Sequence, residues 1–92
     1  MDFEWDEEKN RENIRRHGLD FADAELVFSM PMWVRPDVRF DYGEHRFIGI
    51  GFLENRVVLI AFSEPAEDIV RVISMRRAKK NERAKFEQRI KD

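Results

Sequence analysis

The chain has 92 residues and no cysteine, which excludes disulfide bonds, thiol catalysis and zinc sites with sulfur ligands. No apolar run approaches the ~20 residues of a membrane-spanning helix, and the acidic N-terminus is unlike a signal peptide. This length is typical of one domain, and we expect a single-domain cytoplasmic protein with no membrane partner.

The net charge of −2 conceals a segregation of the two signs along the chain. Residues 71–92 hold nine Lys or Arg and three Asp or Glu, a net charge of +6, whereas residues 1–70 carry −8. A basic end of this kind predicts a polyanionic partner, although a charge run alone also fits an ordinary solvated helix.

The first third of the chain predicts a strand and two helices. Phe3–Trp5 alternates like a short strand. Asp6 is a good N-cap for a helix that ends at Gly18, a typical C-cap. A second helix is predicted from Asp20 to Met30.

The remainder predicts four strands and a terminal helix. The loop between the last two strands is predicted over Ser63–Asp68. Short links between these strands imply antiparallel pairing. The predicted fold is therefore α+β, a small antiparallel sheet with two N-terminal helices and one C-terminal helix packed on one side. The strands are predicted over Met32–Phe40, Arg46–Leu53, Arg56–Phe62 and Ile69–Arg76, and the helix over Ala78–Ile90.

Arg71 lies in the middle of the last predicted strand. By strict alternation it shares a sheet face with Ile69, Ile73 and Met75. An arginine among such neighbours lies either on a solvated sheet face or in a cleft.

Four arginines are candidates for one phosphate-binding patch. Arg76 closes the last strand, Arg83 follows two helical turns later, and Arg46 opens a neighbouring strand. If those strands lie close, these three and Arg71 converge, and guanidinium groups bind phosphate oxygens in a bidentate way. Taken singly, each is also explained as a solvated or ion-paired side chain.

Other polar residues have weaker claims to a site. His45 carries an imidazole and lies beside Glu44, so either side chain can act as a proton acceptor in catalysis. Arg77 and Lys79 are ordinary solvated residues when taken singly, and are included as substrate-binding because they raise the local positive potential. Two histidines without a spaced carboxylate cluster predict no metal site.

Several segments of the chain resemble the BrnT family of toxins, in order and with the right spacing. The combination is far more specific than any one of its parts. The segments are Phe3–Lys9, Asn13–Ala24, Glu44–Phe47, Ile50–Gly51, Arg71–Ala78 and Glu82–Arg83.

The resemblance implies a type II toxin–antitoxin ribonuclease with a RelE-like fold over residues 1–92. Such a toxin cleaves RNA without a metal or other cofactor, inhibits translation and arrests growth. It is neutralised by a BrnA-type antitoxin with a ribbon-helix-helix domain. The complex of the two proteins, rather than the toxin alone, contacts operator DNA.

The resemblance also assigns roles to particular arginines. Arg76 matches the arginine that follows Ile-Ser-x, Arg83 the one in the terminal Glu-Arg pair, and Arg46 the strand-opening one. The implied reaction is attack of the ribose 2′-hydroxyl on the adjacent phosphate. Arg76 and Arg83 would stabilise the developing charge, while Arg46 and Arg71 position the backbone.

Two positions depart from the family pattern. Many relatives have a tyrosine where this chain has Phe86, which is why Phe86 joins the substrate-binding candidates; many also lack a histidine at position 45. Two alternatives therefore stay open. One is a non-catalytic module that binds an antitoxin and takes part in operator autoregulation, and the other is a folded but degenerate toxin.

Overall fold

The computed structural model describes residues 1–91, which form one sheet and its flanking helices. In chain order the elements are β1 (Asp2–Glu4), α1 (Glu7–His17), α2 (Ala24–Phe28), β2 (Trp33–Pro36), β3 (Arg46–Leu53), β4 (Arg56–Ala66), β5 (Ile69–Arg77) and α3 (Lys80–Lys91). No helix within residues 1–91 is both long and apolar enough to span a membrane. The predicted α+β class is confirmed.

The sheet has the strand order β1-β5-β4-β3-β2 and is mixed rather than antiparallel. Strands β2 to β5 pair antiparallel with one another, but β1 runs parallel to β5. The prediction of a purely antiparallel sheet is therefore wrong at one edge. Residues 5–68 separate β1 from β5, so no short hairpin dictates the direction of β1.

Helices cover both faces of the sheet. Phe21 and Val27, with the residues around them, pack on one face, called here the α1/α2 face. Phe86 of α3 packs on the other, the α3 face, against Ile50 and Leu59. The prediction of helices on one side is wrong, because β3 and β4 carry apolar residues on both of their faces.

The boundaries of α1 and β3 are those that the local sequence predicts. Asp6 caps α1 by accepting a hydrogen bond from the Lys9 amide at 3.0 Å. Gly18 ends the helix with a φ of 68°, a left-handed conformation that glycine adopts without a Cβ clash. β3 runs from Arg46 to Leu53 as predicted.

Other boundaries differ from the prediction. The helix expected from Asp20 is a 3-10 turn over Phe21–Asp23 followed by the five-residue α2. The strand expected over Met32–Phe40 covers only Trp33–Pro36. β4 continues to Ala66 through residues that were predicted as a loop. α3 begins two residues later than predicted, at residue 80.

Helix α1 attaches to the sheet through asparagine rather than through an apolar stripe. The Asn13 carboxamide accepts from the Met75 N–H at 3.1 Å and donates to the Met75 carbonyl at 2.9 Å. It also donates to the Leu19 carbonyl at 3.0 Å. β1 pairs only with Ile69–Arg71, so the edge of β5 beyond Arg71 has no neighbouring strand there. Asn13 therefore supplies the hydrogen-bond partners of the Met75 backbone at this edge.

Candidate active site

A β-bulge in β5 determines which arginines share a face. Val72 lies opposite Phe62 of β4, but Ser74 lies opposite Ala61, so β5 contains one extra residue at Ile73. An extra residue reverses the facing of every side chain that follows it.

The bulge brings Arg71 and Arg76 onto the same side of the sheet. Residues five positions apart in a regular strand face opposite ways. Here Arg71 pairs with Ser63 and Arg76 pairs with Leu59, and both partners lie on the α3 face. The prediction that Arg71 shares a face with Met75 is wrong, because Met75 lies after the bulge and packs on the α1/α2 face.

Two further strands contribute arginines to this side. Ser63 pairs with Arg46 on its other flank, so Arg46 and Arg71 lie two strand spacings apart, about 10 Å between Cα atoms. Arg35 of β2 pairs with Ile48, which also lies on the α3 face. We call the side chains of Arg35, Arg46, Arg71 and Arg76 the arginine face.

Carboxylates hold two of these arginines, one from the edge strand β1 and one from the loop before β3. Glu4 of β1 accepts from Arg71 Nε at 2.7 Å and lies 2.7 Å from its Nη2. Glu44 accepts from Arg46 Nε at 3.0 Å. Each guanidinium is thus oriented while its remaining N–H donors stay available.

A two-armed ion pair with α3 holds Arg76. Its Nη1 and Nη2 donate to the two carboxylate oxygens of Glu82, each at 2.9 Å. Glu82 also accepts from the Lys79 N–H at 2.7 Å. Arg76 and then the Lys79 N–H lower the pKa of Glu82 from 4.5 to about 2, against the effect of burial. Glu82 in turn raises the pKa of Arg76, and the nearby charge of Arg39 opposes that shift.

The loop between β2 and β3 adds a second polar cluster beside the arginine face. The Asp37 side chain, only 3% exposed, accepts from Arg39 Nε and Nη2 at 2.8 and 3.0 Å and from the Tyr42 hydroxyl at 3.0 Å. These bonds, chiefly those from Arg39, hold the pKa of Asp37 far below its usual value. The Arg46 guanidinium carbon lies 4.1 Å from the centre of the Tyr42 ring.

The sequence pattern of the ribonuclease toxin BrnT, of type II toxin–antitoxin systems, matches residues 5–82. The chain belongs to the BrnT family. The 1.1 Å crystal structure of the Brucella abortus ribonuclease toxin BrnT is similar, with 32% sequence identity and a TM-score of 0.66. The match covers 87% of this chain and 99% of that one. No curated protein sequence matches the chain.

Three of the predicted Arg and Lys site residues of this BrnT-family chain lie outside the arginine face. Arg77 pairs with Val58, so it points to the α1/α2 face. Arg83 is exposed and forms no ion pair with any side chain in residues 1–91. It lies about 100° around α3 from Glu82, the residue that contacts the sheet arginine. Lys79 contributes its backbone N–H to Glu82, and its side chain is exposed.

Phe86 is part of the core and not of a substrate surface. Its side chain has no exposed area, and its ring packs edge-on against Phe52 with centroids 5.1 Å apart. The assignment of Phe86 to substrate binding is therefore wrong, since a fully buried ring contacts no ligand.

His45 and Glu44 stand at the start of β3, beside Arg46. His45 is exposed and lines two open clefts, one along residues 36–47 and one with residues 63–67. Its ring forms no hydrogen bond with another side chain within residues 1–91. Glu44 accepts a hydrogen bond from Arg46 Nε, which orients that guanidinium. Within the same residues no three His, Asp or Glu side chains group as metal ligands.

Two basic residues near the site, Arg35 and Arg39, are not predicted from the sequence. Arg35 follows Trp33 at the two-residue spacing that places side chains on one strand face. Arg39 lies two residues after Asp37, close enough in sequence for a local ion pair. Both spacings are visible in the sequence, but only the sheet register shows that Arg35 lies opposite Ile48.

Proposed function

We propose that this BrnT-family chain is a metal-independent endoribonuclease, acting as one domain over residues 1–92. It cleaves RNA by attack of the 2′-hydroxyl on the adjacent phosphate, leaving a 2′,3′-cyclic phosphate and a 5′-hydroxyl. The observation that carries this proposal is the placement of Arg46, Arg71 and Arg76 on one sheet face. Membership of a ribonuclease toxin family supplies the substrate class.

Arg76 is the group proposed to stabilise charge on phosphorus. Its hydrogen bonds to Glu82 and to the Arg77 carbonyl use three of its five N–H groups and leave two donors. Because Glu82 fixes the guanidinium plane, those donors need no reorganisation as charge develops. One donor placed in this way contributes about 3–4 kcal/mol to transition-state stabilisation.

Arg46 and Arg71 are proposed to position the RNA backbone. Each retains donors beyond its carboxylate partner, and the two flank the same residue, Ser63, on neighbouring strands. One row of paired residues on this face holds Arg46 and Arg71, and another ends at Arg76. The sheet surface between these two rows is apolar and is formed by Ile48 and Ala61. A phosphodiester lying on it meets cationic groups from both sides.

His45 and Glu44 are the proposed candidates for the base that accepts the 2′-hydroxyl proton. Both lie beside Arg46, and a base must come within hydrogen-bond reach of the attacking hydroxyl. Substitution of each residue by alanine, one at a time, distinguishes the two candidates. Loss of the acidic limb of the pH–rate profile in only one variant identifies the base.

The biological setting is proposed on the type II family assignment. The toxin cleaves RNA in the cytoplasm, lowers translation and arrests growth. A BrnA-type ribbon-helix-helix antitoxin neutralises it, and operator DNA is contacted only by the complex of the two. A RelE-like relationship of the fold is part of the same proposal.

The decisive test is cleavage of a labelled RNA by the purified chain in EDTA, with analysis of the product ends. We expect cleavage to persist and to yield cyclic phosphate. Arg83→Ala is expected to have a small effect because Arg83 lies outside the arginine face. Complete loss of cleavage in EDTA would contradict the metal-free mechanism. No cleavage at a large molar excess of protein, with tight antitoxin binding, would instead favour the non-catalytic module.

A further inference from the structure

A second basic surface lies on the α3 face, next to the arginine face. It is a cleft of about 580 Å³ at the end of α3, lined by Trp33, Lys85, Gln88 and Arg89. The three α3 residues fall on one flank of the helix because Lys85 and Arg89 are four positions apart. We call this surface the Trp33 cleft.

Two arginines at the Trp33 cleft lie over an aromatic ring instead of against carboxylates. The Arg89 guanidinium carbon lies 4.2 Å from the Trp33 ring centre, and that of Arg35 lies 5.6 Å away. Neither arginine, nor Lys85, forms an ion pair with any acidic side chain in residues 1–91. Their positive charge is thus not offset by a paired carboxylate in residues 1–91, whereas Arg46, Arg71 and Arg76 each have such a partner and offer their remaining N–H donors.

The sheet register connects the two surfaces. Trp33, Ile50, Leu59 and Arg76 lie opposite one another across four strands, so Trp33 stands about 14 Å from Arg76 between Cα atoms. Arg35, the next residue of β2 on this side, belongs to the arginine face and also reaches the Trp33 ring. An RNA strand that leaves the arginine face past Arg35 therefore reaches the Trp33 cleft.

We propose that the Trp33 cleft binds the single-stranded RNA that flanks the cleaved bond, a role that rests on the proposed ribonuclease function. Single-stranded RNA is recognised by stacking of bases on aromatic rings and guanidinium planes, combined with cationic contacts to phosphate. Arg89 on Trp33 offers the stacking surface, while Lys85 and Arg35 offer phosphate contacts. Stacking on the indole also restricts Arg89 before the ligand arrives.

The test compares the kcat/KM for a 12-nucleotide RNA with that for a dinucleotide too short to reach the cleft. Wild type is expected to favour the longer substrate. Lys85→Glu should reduce this length preference by about tenfold, a change equivalent to about 1.4 kcal/mol. Lys91→Glu is the matched control, because Lys91 lies about 120° around α3 from Lys85 and is expected to keep the preference.

A second variant tests whether a lower length preference arises merely from a less stable α3. Arg89→Lys keeps the charge but loses the planar group, and its melting temperature is measured in parallel. We expect a reduced length preference at a nearly unchanged melting temperature.

The outcomes separate this inference from the function on which it rests. Absence of cleavage of either RNA by wild type would contradict the proposed function itself. Cleavage with the same length preference in wild type, Lys85→Glu and Arg89→Lys would overturn the Trp33 cleft alone. Loss of antitoxin binding in Lys85→Glu with an intact length preference would likewise overturn it and assign the cleft to the protein partner.

Discussion

Arg76 of β5 and Glu82 of α3 form a two-armed ion pair in which both N···O distances are 2.9 Å. This pair fastens α3 to the sheet together with the buried Phe86 ring, which packs against Ile50 and Leu59. The same residue that we propose to stabilise charge on RNA therefore also anchors the terminal helix.

Glu82→Gln should lower stability in a pH-dependent way. The pKa of Glu82 is depressed from 4.5 to about 2, so its contribution is present above pH 4.5 and is lost as the pH falls through about 2. Above pH 4.5 the free energy of unfolding of the variant should be lower by about 1 kcal/mol. The effect is small because the ion pair is partly exposed. Denaturant melts at several pH values measure this difference. A difference that stays constant down to pH 2 would show that the carboxylate charge is not its source.

Asn13→Ala should destabilise the protein far more than an exposed asparagine substitution. It leaves the Met75 N–H and carbonyl and the Leu19 carbonyl without their present partner in a buried place. We expect a loss of about 3 kcal/mol in the free energy of unfolding. Asn81→Ala, at the exposed start of α3, is the control. Equal effects of the two substitutions would contradict the role of Asn13 at the edge of β5.

Ser63→Ala should leave stability unchanged or raise it. Ser63 is 2% exposed, and its hydroxyl has no hydrogen-bond partner within residues 1–91. Removing a buried hydroxyl that has no partner removes a desolvation cost of about 1–3 kcal/mol, offset in part by lost packing. Thermal melts compare it with Ser74→Ala, an exposed serine on the same face. A clear fall in melting temperature for Ser63→Ala alone would mean that the hydroxyl is hydrogen-bonded in solution.

Features that depend on near neighbours in the chain were predictable from the sequence. The caps of α1 and the extent of β3 follow from single residues and from alternation. The placement of Arg46 near Arg71 follows only if β4 lies between their strands, which the short hairpin after β3 suggests.

Features that depend on distant pairing were not predictable. The bulge at Ile73 leaves no mark in the alternation of β5, since residues 69–77 mix apolar and basic side chains on both faces. The parallel entry of β1 and the anchoring of α1 by Asn13 depend on contacts across most of the chain. Phe86 was linked to substrate through the family pattern, whereas burial against Phe52 decides its role.

The arginine face is proposed to bind the RNA that is cut, and two adjacent residues distinguish this face from the opposite one. Arg76 and Arg77 carry the same charge at consecutive positions, but they point to opposite faces of the sheet. We predict that Arg76→Ala lowers kcat/KM for RNA by about 100-fold or more, while Arg77→Ala has little effect. Equal losses in the two variants, or none in either, would contradict the account.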